Sequence, residues 1–351
     1  MTKSPTSRSP RWRLPVCSLV ALCALGLPQP GRAQPTLGGQ VAPEEVRKQA
    51  LEKNKKPEGW TNKLGVGATG TFNHSDGVVG TEDGATVQMG LVLDASAELV
   101  KRRNEWLTAI KIVHTQSREP VLDRFLKSAD SLDFATTYLL RLQEITWVGP
   151  YARARLSTQL FDGYLYKATP GTVLRTTEGG TKSQQDFAAR QRVDLSGAFE
   201  PLLAMASAGF FANPVETKEF TAKTKLGAGV QQILSRGGYT VDDKKDTPQI
   251  ELVQLRTSTQ AGAELELALQ GEVNTNTAWQ VSSNFFVPLY STGKEALLFD
   301  GMSTVVGAGL KVRLSKWASF DYTLSAKNIP TVVDRWQLQN GMLLTMAWTV
   351  L

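Results

Sequence analysis

Three like-charged pairs stand out in this chain: Arg153 with Arg155, Lys311 with Arg313, and Glu264 with Glu266, each with one residue between its members. A spacing of two puts both members on one face of a β-strand. Asp94 and Asp321 lie in stretches with the same alternation. Arg141, Lys223, Lys225, Lys327, Glu98 and Asp133 extend the same polar rows. Charges of both signs on one face of a sheet either pair and fill the space they face, or line an aqueous path and select by charge. If the path is open, Arg153, Arg155, Lys311 and Arg313 favour small anionic solutes.

The elements that must position these groups are strands. In Ser303–Lys327, Val306, Ala308, Leu310, Val312 and Leu314 oppose Gly307, Gly309, Lys311 and Arg313. After a break at Ser315–Trp317, Ala318, Phe320, Tyr322, Leu324 and Ala326 oppose Ser319, Asp321, Thr323, Ser325 and Lys327. This predicts a hairpin with one apolar and one polar face, each strand long enough to cross a bilayer at a tilt. The pattern predicts further strands at Lys63–Asn73, Ala85–Val100, Glu105–Thr115, Asp130–Gln143, Trp147–Phe161, Phe199–Ala212, Lys218–Ile233, Ile250–Glu272, Thr277–Tyr290 and Gln337–Leu351. Longer connections are expected at His74–Gly84, Gln116–Ala129, Asp162–Ala198, Leu234–Gln249, Ser291–Met302 and Asn328–Trp336. Short turns alternate with them, at Lys101–Asn104, Glu144–Thr146, Asn213–Thr217, Val273–Asn276 and Ser315–Trp317.

Trp60, Trp106, Trp147, Trp279, Trp317 and Trp348 fall near the short-turn ends of these strands. Trp prefers a membrane interface, where its ring is in hydrocarbon and its N–H meets water. A ring of Trp at one height is the girdle of a transmembrane barrel. A soluble β-sandwich alternates too, but explains neither the loop parity nor this ring. The expected fold is therefore all-β, a transmembrane antiparallel up-and-down β-barrel of about twelve strands, of outer-membrane type.

Export is legible at the N-terminus. Lys3, Arg8, Arg11 and Arg13 precede the short apolar run Pro15–Leu27, and Gly31-Arg32-Ala33 offers small residues for cleavage after Ala33. Residues 1–33 are expected to be a signal peptide, 34–59 a polar arm or short helix on the periplasmic side, and 60–351 the barrel. Both cysteines of the chain, Cys17 and Cys23, lie in the signal, so the mature chain carries no disulfide, thiolate metal site or cysteine nucleophile. The signal also holds five of the 39 Lys and Arg and no acid, leaving 34 basic against 33 acidic residues. Five of the six net positive charges therefore belong to the export segment, and no nucleic-acid partner is implied.

The arm, Gly59-Trp60, the strand series and the closing WQLQNGMLLTMAWTVL resemble bacterial outer-membrane β-barrel families of the porin-like, domain-of-unknown-function kind. The resemblance covers about Trp60–Leu351. It implies outer-membrane lipid as surroundings and the barrel-assembly machinery as a partner through the C-terminal strand. That strand ends on Leu351 where such barrels usually end on an aromatic residue.

Catalytic patterns are thin. His74-Ser75-Asp76 lists triad residue types, but triad members meet through the fold, so it reads as a solvated loop. His114 ends its strand on the apolar row. Outer-membrane phospholipases place histidine and serine two apart on one strand, and here Thr115 and Gln116 follow, with Ser117 one position too far. Gly65-Val66-Gly67 and Gly307-Ala308-Gly309 precede no helix, so no nucleotide loop is expected. Asp242, Asp243 and Asp246 lack the spacing of a calcium loop. The chain is read as a non-enzyme without cofactor or metal. Its first expected role is a porin-like channel for small solutes. Its second is a non-conducting barrel that shapes the surface or binds a partner through long external loops, above all Asp162–Ala198. A phospholipase is a distant third.

Overall fold

The structure is a computed structural model, and it describes residues 58–75, 84–118, 124–217, 219–242, 247–293, 297–315, 318–331 and 333–349. The expected signal peptide, nearly all of the polar arm, and Trp317, Asp243 and Asp246 lie outside these residues.

Strands occupy most of what is described. In chain order they are β1 (Gly59–Ser75), β2 (Gly84–Lys101), β3 (Asn104–Arg118), β4 (Phe125–Leu140) and β5 (Val148–Thr158), then the short β6 (Gly163–Tyr166), β7 (Gly171–Thr176), β8 (Lys182–Phe187) and β9 (Arg192–Ser196). There follow β10 (Leu202–Glu216), β11 (Thr221–Leu234), the short β12 (Tyr239–Val241) and β13 (Ile250–Gln254), β14 (Ser258–Asn274), β15 (Thr277–Ser291), β16 (Ser303–Arg313), β17 (Ala318–Ile329) and β18 (Val333–Thr349).

The twelve long strands form a closed antiparallel barrel in the order β1-β18-β17-β16-β15-β14-β11-β10-β5-β4-β3-β2. The first and last strands close it, from Gly65 opposite Thr349 to Gly70 opposite Leu344. Period-two alternation accounts for the strands and for an inverted polarity. Along β14, Ser258, Gln260, Glu264, Glu266 and Gln270 are buried on the inward row, while Leu267 and Leu269 are exposed on the outward row. Elsewhere Leu91, Phe210 and Leu226 are more than 60 % exposed, whereas Gln260, Glu264 and Asp133 are each 1 % exposed. Soluble proteins bury the apolar set and expose the charged one. A barrel wall that does the reverse has the polarity a bilayer demands.

The long connections are less plain than the pattern suggested. Asp162–Ala198 and Leu234–Gln249 were expected as loops, but they fold into a small cap at the long-loop end of the barrel. β6 pairs with β9, and β12-β13-β7-β8 make a four-stranded sheet in which β13 runs parallel to β7. The cap has its own apolar core of Leu165, Val173, Phe187, Val193, Leu195, Val241 and Leu252. The single strand expected at Ile250–Glu272 is two, because the chain leaves the cap sheet after Gln254 and enters the wall at Ser258. Loop parity is also imperfect. β17 runs to Ile329 and β18 begins at Val333, so Asn328–Trp336 is mostly strand. Conversely, the expected turn Glu144–Thr146 is the wider connection 141–147, between Leu140 and Val148.

Candidate functional site

The inward residues of β5, β11, β14 and β15 converge in the lumen. Arg153 bonds both Glu264 and Glu266, one nitrogen to each carboxylate. Arg155 Nη2 donates to Glu266 Oε2 at 2.5 Å, and Lys225 Nζ donates to Glu266 Oε1 at 2.9 Å. Asn284 Nδ2 donates to Glu264 Oε1 at 2.7 Å. Glu266 thus serves three cations, and the Arg153 and Glu264 side chains are 1 % and 0 % exposed.

Register explains how an arginine on β5 reaches β14, with β10 and β11 between them. Arg153 lies opposite Ser207, and Ser207 opposite Gly229. Glu264 lies opposite Gly227, and Gly227 opposite Gly209. Only Ser207 and Gly229 follow Arg153 along the first row, while in the second the Tyr151 side chain, from its place opposite Gly209, reaches over Gly227. The Arg153 guanidinium passes beside that ring, 5.9 Å from its centroid. At Gly227 a Cβ would meet the Tyr151 hydroxyl at 2.7 Å and crowd the Ala208 carbonyl.

A second line of alternating charge crosses β2, β3 and β4. Asp94 lies opposite Lys111, and Lys111 opposite Asp133. Ser157 Oγ donates to Asp133 at 2.6 Å, and both Lys111 and Lys327 act electrostatically on Asp133. Lys327 belongs to β17, far round the barrel, so its charge acts on this line from across the lumen. Lys311 lies opposite Asp321 with Nζ 3.9 Å from Oδ1. Arg313 is exposed at the short-turn end. Near that end, Arg141 Nε donates to Glu105 Oε1 at 2.6 Å. A cavity of about 40 Å³ there is lined by Glu98, Glu105, Arg141, Asn213, Lys223 and Lys225, among others. It has room for about one water.

Of the residues singled out from the sequence, Arg153, Arg155, Glu264 and Glu266 therefore meet in one lattice, Lys311 and Asp321 form a separate pair, and Asp94 belongs to the second line. Each arginine of the Arg153/Arg155 pair is bonded to a carboxylate, which removes the ground for an anion-selecting row at this height.

The wall carries aromatic bands. Trp60 and Trp106 stand with ring centroids 6.4 Å apart, and Phe220 stacks near Trp279 at 6.2 Å. Trp106 Nε1 donates to Thr136 Oγ1 at 2.8 Å. Trp60, Trp106 and Trp147 are exposed at the short-turn end. The backbone of Trp348 lies at the seam opposite Val66. A second band went unread in the sequence: Phe125, Phe161, Phe199, Tyr290, Phe299 and Trp336 are all exposed at the long-loop end. The signal was there, since each flanks a strand end, but phenylalanine is too common in strands to point to an interface alone.

Two further groups complete the picture. His114 faces outward with its ring edge on Phe161, 5.0 Å between centroids, and its Nε2 3.2 Å from Gln116 Nε2. Its described contacts include no serine or threonine hydroxyl. Glu200 precedes β10 and ties the two halves of the cap. Its Oε1 accepts from Ser235 Oγ at 2.8 Å, Arg236 N at 2.5 Å and Gly238 N at 2.8 Å, and its Oε2 from Gly197 N at 3.2 Å. Burial opposes charge on this carboxyl, but the bonds from Gly238, Ser235, Arg236 and Gly197 outweigh it and hold the group below the usual glutamate range. Gly237, at φ +100°, turns the chain into this contact, and a Cβ on Gly238 would meet the carboxylate at 2.9 Å.

No family model matches the chain, and no curated protein matches it in sequence. Among solved structures it is similar to the translocator domain of the autotransporter NalP from Neisseria meningitidis, at 7 % identity and a TM-score of 0.40, over 88 % of this chain and 94 % of that one. It is also similar to an outer membrane channel from Pseudomonas putida F1, at 10 % identity and 0.36, over 84 % and 96 %. The toluene transporter TodX of Pseudomonas putida gives 7 % and 0.34, over 90 % and 96 %. Scores below 0.5 carry nothing about this chain's role, and the barrel stands on its own strand pairing.

Proposed function

We propose that this chain is an outer-membrane barrel of channel-like build, closed at the height of Arg153 by the lattice that joins β5 to β14. The exposed apolar wall between two aromatic bands supports the membrane setting. The observation that carries the closed lumen is the burial of Arg153 and Glu264 inside it, at 1 % and 0 %. A water-filled pore leaves its lining charges accessible. A plug built of ion pairs, and not of packed leucines, can be opened by rearranging charge, so the solute that passes is small and polar. No preference for anions follows.

Planar-bilayer recording of the purified protein tests this. Wild type is expected to stay closed or open rarely, and Arg153→Ala to raise the open fraction at least several-fold. A large, steady wild-type conductance, or an Arg153→Ala variant that folds and stays shut, would count against the lattice as the closing element. A heat-modifiable band shift in detergent confirms that each variant is a folded barrel.

A second reading is a non-conducting barrel that works through its surface. The cap favours it, because a loop region with its own apolar core is a rigid platform in place of a mobile fringe.

A further inference from the structure

The cap sheet ends on β8. Its order is β12-β13-β7-β8, so β8 has β7 on one side and, among the described residues, no strand on the other. Lys182 to Asp186 are all exposed, and only Phe187 turns into the cap core. The turn before β8 fixes which backbone groups are open. Thr177 N–H donates to Thr181 O. Bonded and non-bonded pairs alternate along an antiparallel ladder. With Arg175 opposite Ser183 and Val173 opposite Gln185, the odd-numbered residues of β8 bond to β7. The N–H and C=O groups of Lys182, Gln184 and Asp186 therefore point to the open edge.

Natural edges are guarded by short strands, charged side chains, proline, bulges or a covering element. β8 is six residues long, with charges at Lys182 and Asp186 that repel a partner strand unless it sets opposite charges against them. β8 contains no proline, and its register with β7 shows no bulge. Its sequence, Lys182-Ser183-Gln184-Gln185-Asp186, is complementary to itself when run antiparallel. Setting Gln184 against Gln184 of a second copy puts Lys182 against that copy's Asp186, and Asp186 against its Lys182. Ser183 then faces Gln185. The open backbone groups of Lys182, Gln184 and Asp186 all fall on hydrogen-bonded positions in this register. Opposite charges directly across a ladder favour it, and like charges oppose it.

We propose that the β8 edge is a self-association site. Two copies join by antiparallel addition of β8 to β8 about a two-fold axis at Gln184, and their cap sheets run on as one. The contact is isologous, so it closes at a dimer. Strand addition from another protein would use the same backbone groups, but the charges at the two ends of β8 match β8 itself. The contact does not depend on what passes through the lumen.

Introduced cysteines test it, because both native cysteines lie in the segment expected to be removed. In the proposed register two Gln184 Cα atoms stand about 5.5 Å apart, within disulfide range. Two Lys182 are offset by four positions, roughly 13 Å along the strands, and out of range. Mild oxidation of the full mature protein in detergent or vesicles should convert Gln184→Cys to a disulfide dimer and leave Lys182→Cys monomeric. Adding Asp186→Lys to Gln184→Cys should cut the dimer yield several-fold, and adding Lys182→Asp as well should restore it. These side chains are exposed, and a heat-modifiable shift checks that each variant has folded. Equal cross-linking of both cysteine variants would overturn the proposal. So would a monomeric Gln184→Cys, indifference to the charge reversal, or capture of a different protein in place of the dimer.

Discussion

Glu266 carries more of the lumen than any neighbour, because Arg153, Arg155 and Lys225 all bond to it. Glu266→Ala leaves three cations without their shared carboxylate in a site closed to water. Breaking a buried ion pair by removing one partner costs about 3–5 kcal/mol, and denaturant titration in vesicles should read a loss of that order. Glu216 is the comparison. It is half-exposed and sits 3.7 Å from Arg141, so Glu216→Ala should cost under about 1 kcal/mol. Equal losses for the two would mean that the lattice is solvated. These partnerships could not be read along the chain. Arg153 and Glu264 are 111 residues apart, and the path between them, beside the Tyr151 ring, exists only once Ser207 and Gly229 stand side by side.

At the level of strands the sequence speaks more clearly. Alternation over a long run is a strong signal, and Leu226, Ala228 and Val230 lie outward on β11 as their pattern says. Leu226 is 61 % exposed and near the middle of its strand. On a soluble surface Leu226→Arg would change stability by no more than about 0.5 kcal/mol. Facing lipid near the midplane it should cost about 2–4 kcal/mol, measured by guanidine unfolding in vesicles. A neutral result would remove the membrane from the argument. The cap strands were missed for reasons of length and continuity. Tyr239–Val241 is too short to show a period, and within Ile250–Glu272 the change of sheet is marked by nothing stronger than the polar stretch Arg256-Thr257-Ser258-Thr259-Gln260, which a strand facing a polar lumen can also carry. In β8 the residues Lys182 to Asp186 are all polar, as an edge strand exposed on both faces permits, so no hydrophobic rhythm marks it.

For the molecule as a whole, Glu200 joins parts that the chain separates. Its carboxylate sits at the end of the β5–β10 connection and accepts from Ser235, Arg236 and Gly238 in the β11–β14 connection. Its folded-state pKa lies below the ordinary glutamate value. The stability it lends is therefore fully present above that ordinary value, and it drains away as the pH falls through the folded value. Amide exchange, corrected for intrinsic rates, should show the Arg236 and Gly238 protons losing protection in that acid window. Glu200→Gln should start from lower protection at neutral pH and lose that part of the pH dependence. An unchanged profile in Glu200→Gln would assign the acid response to other carboxylates.

The mixed origin of the cap also orders events in time. Leu165, Val173, Phe187, Val193 and Leu195 come from one connection, and Val241 and Leu252 from another that follows two wall strands later. The first five can gather as soon as their segment emerges. They stay uncovered until β10 and β11 are laid down and β13 arrives beside β7. A finished cap thus requires the two connections on either side of β10 and β11 to have met, and either one alone leaves its share of the apolar core uncovered.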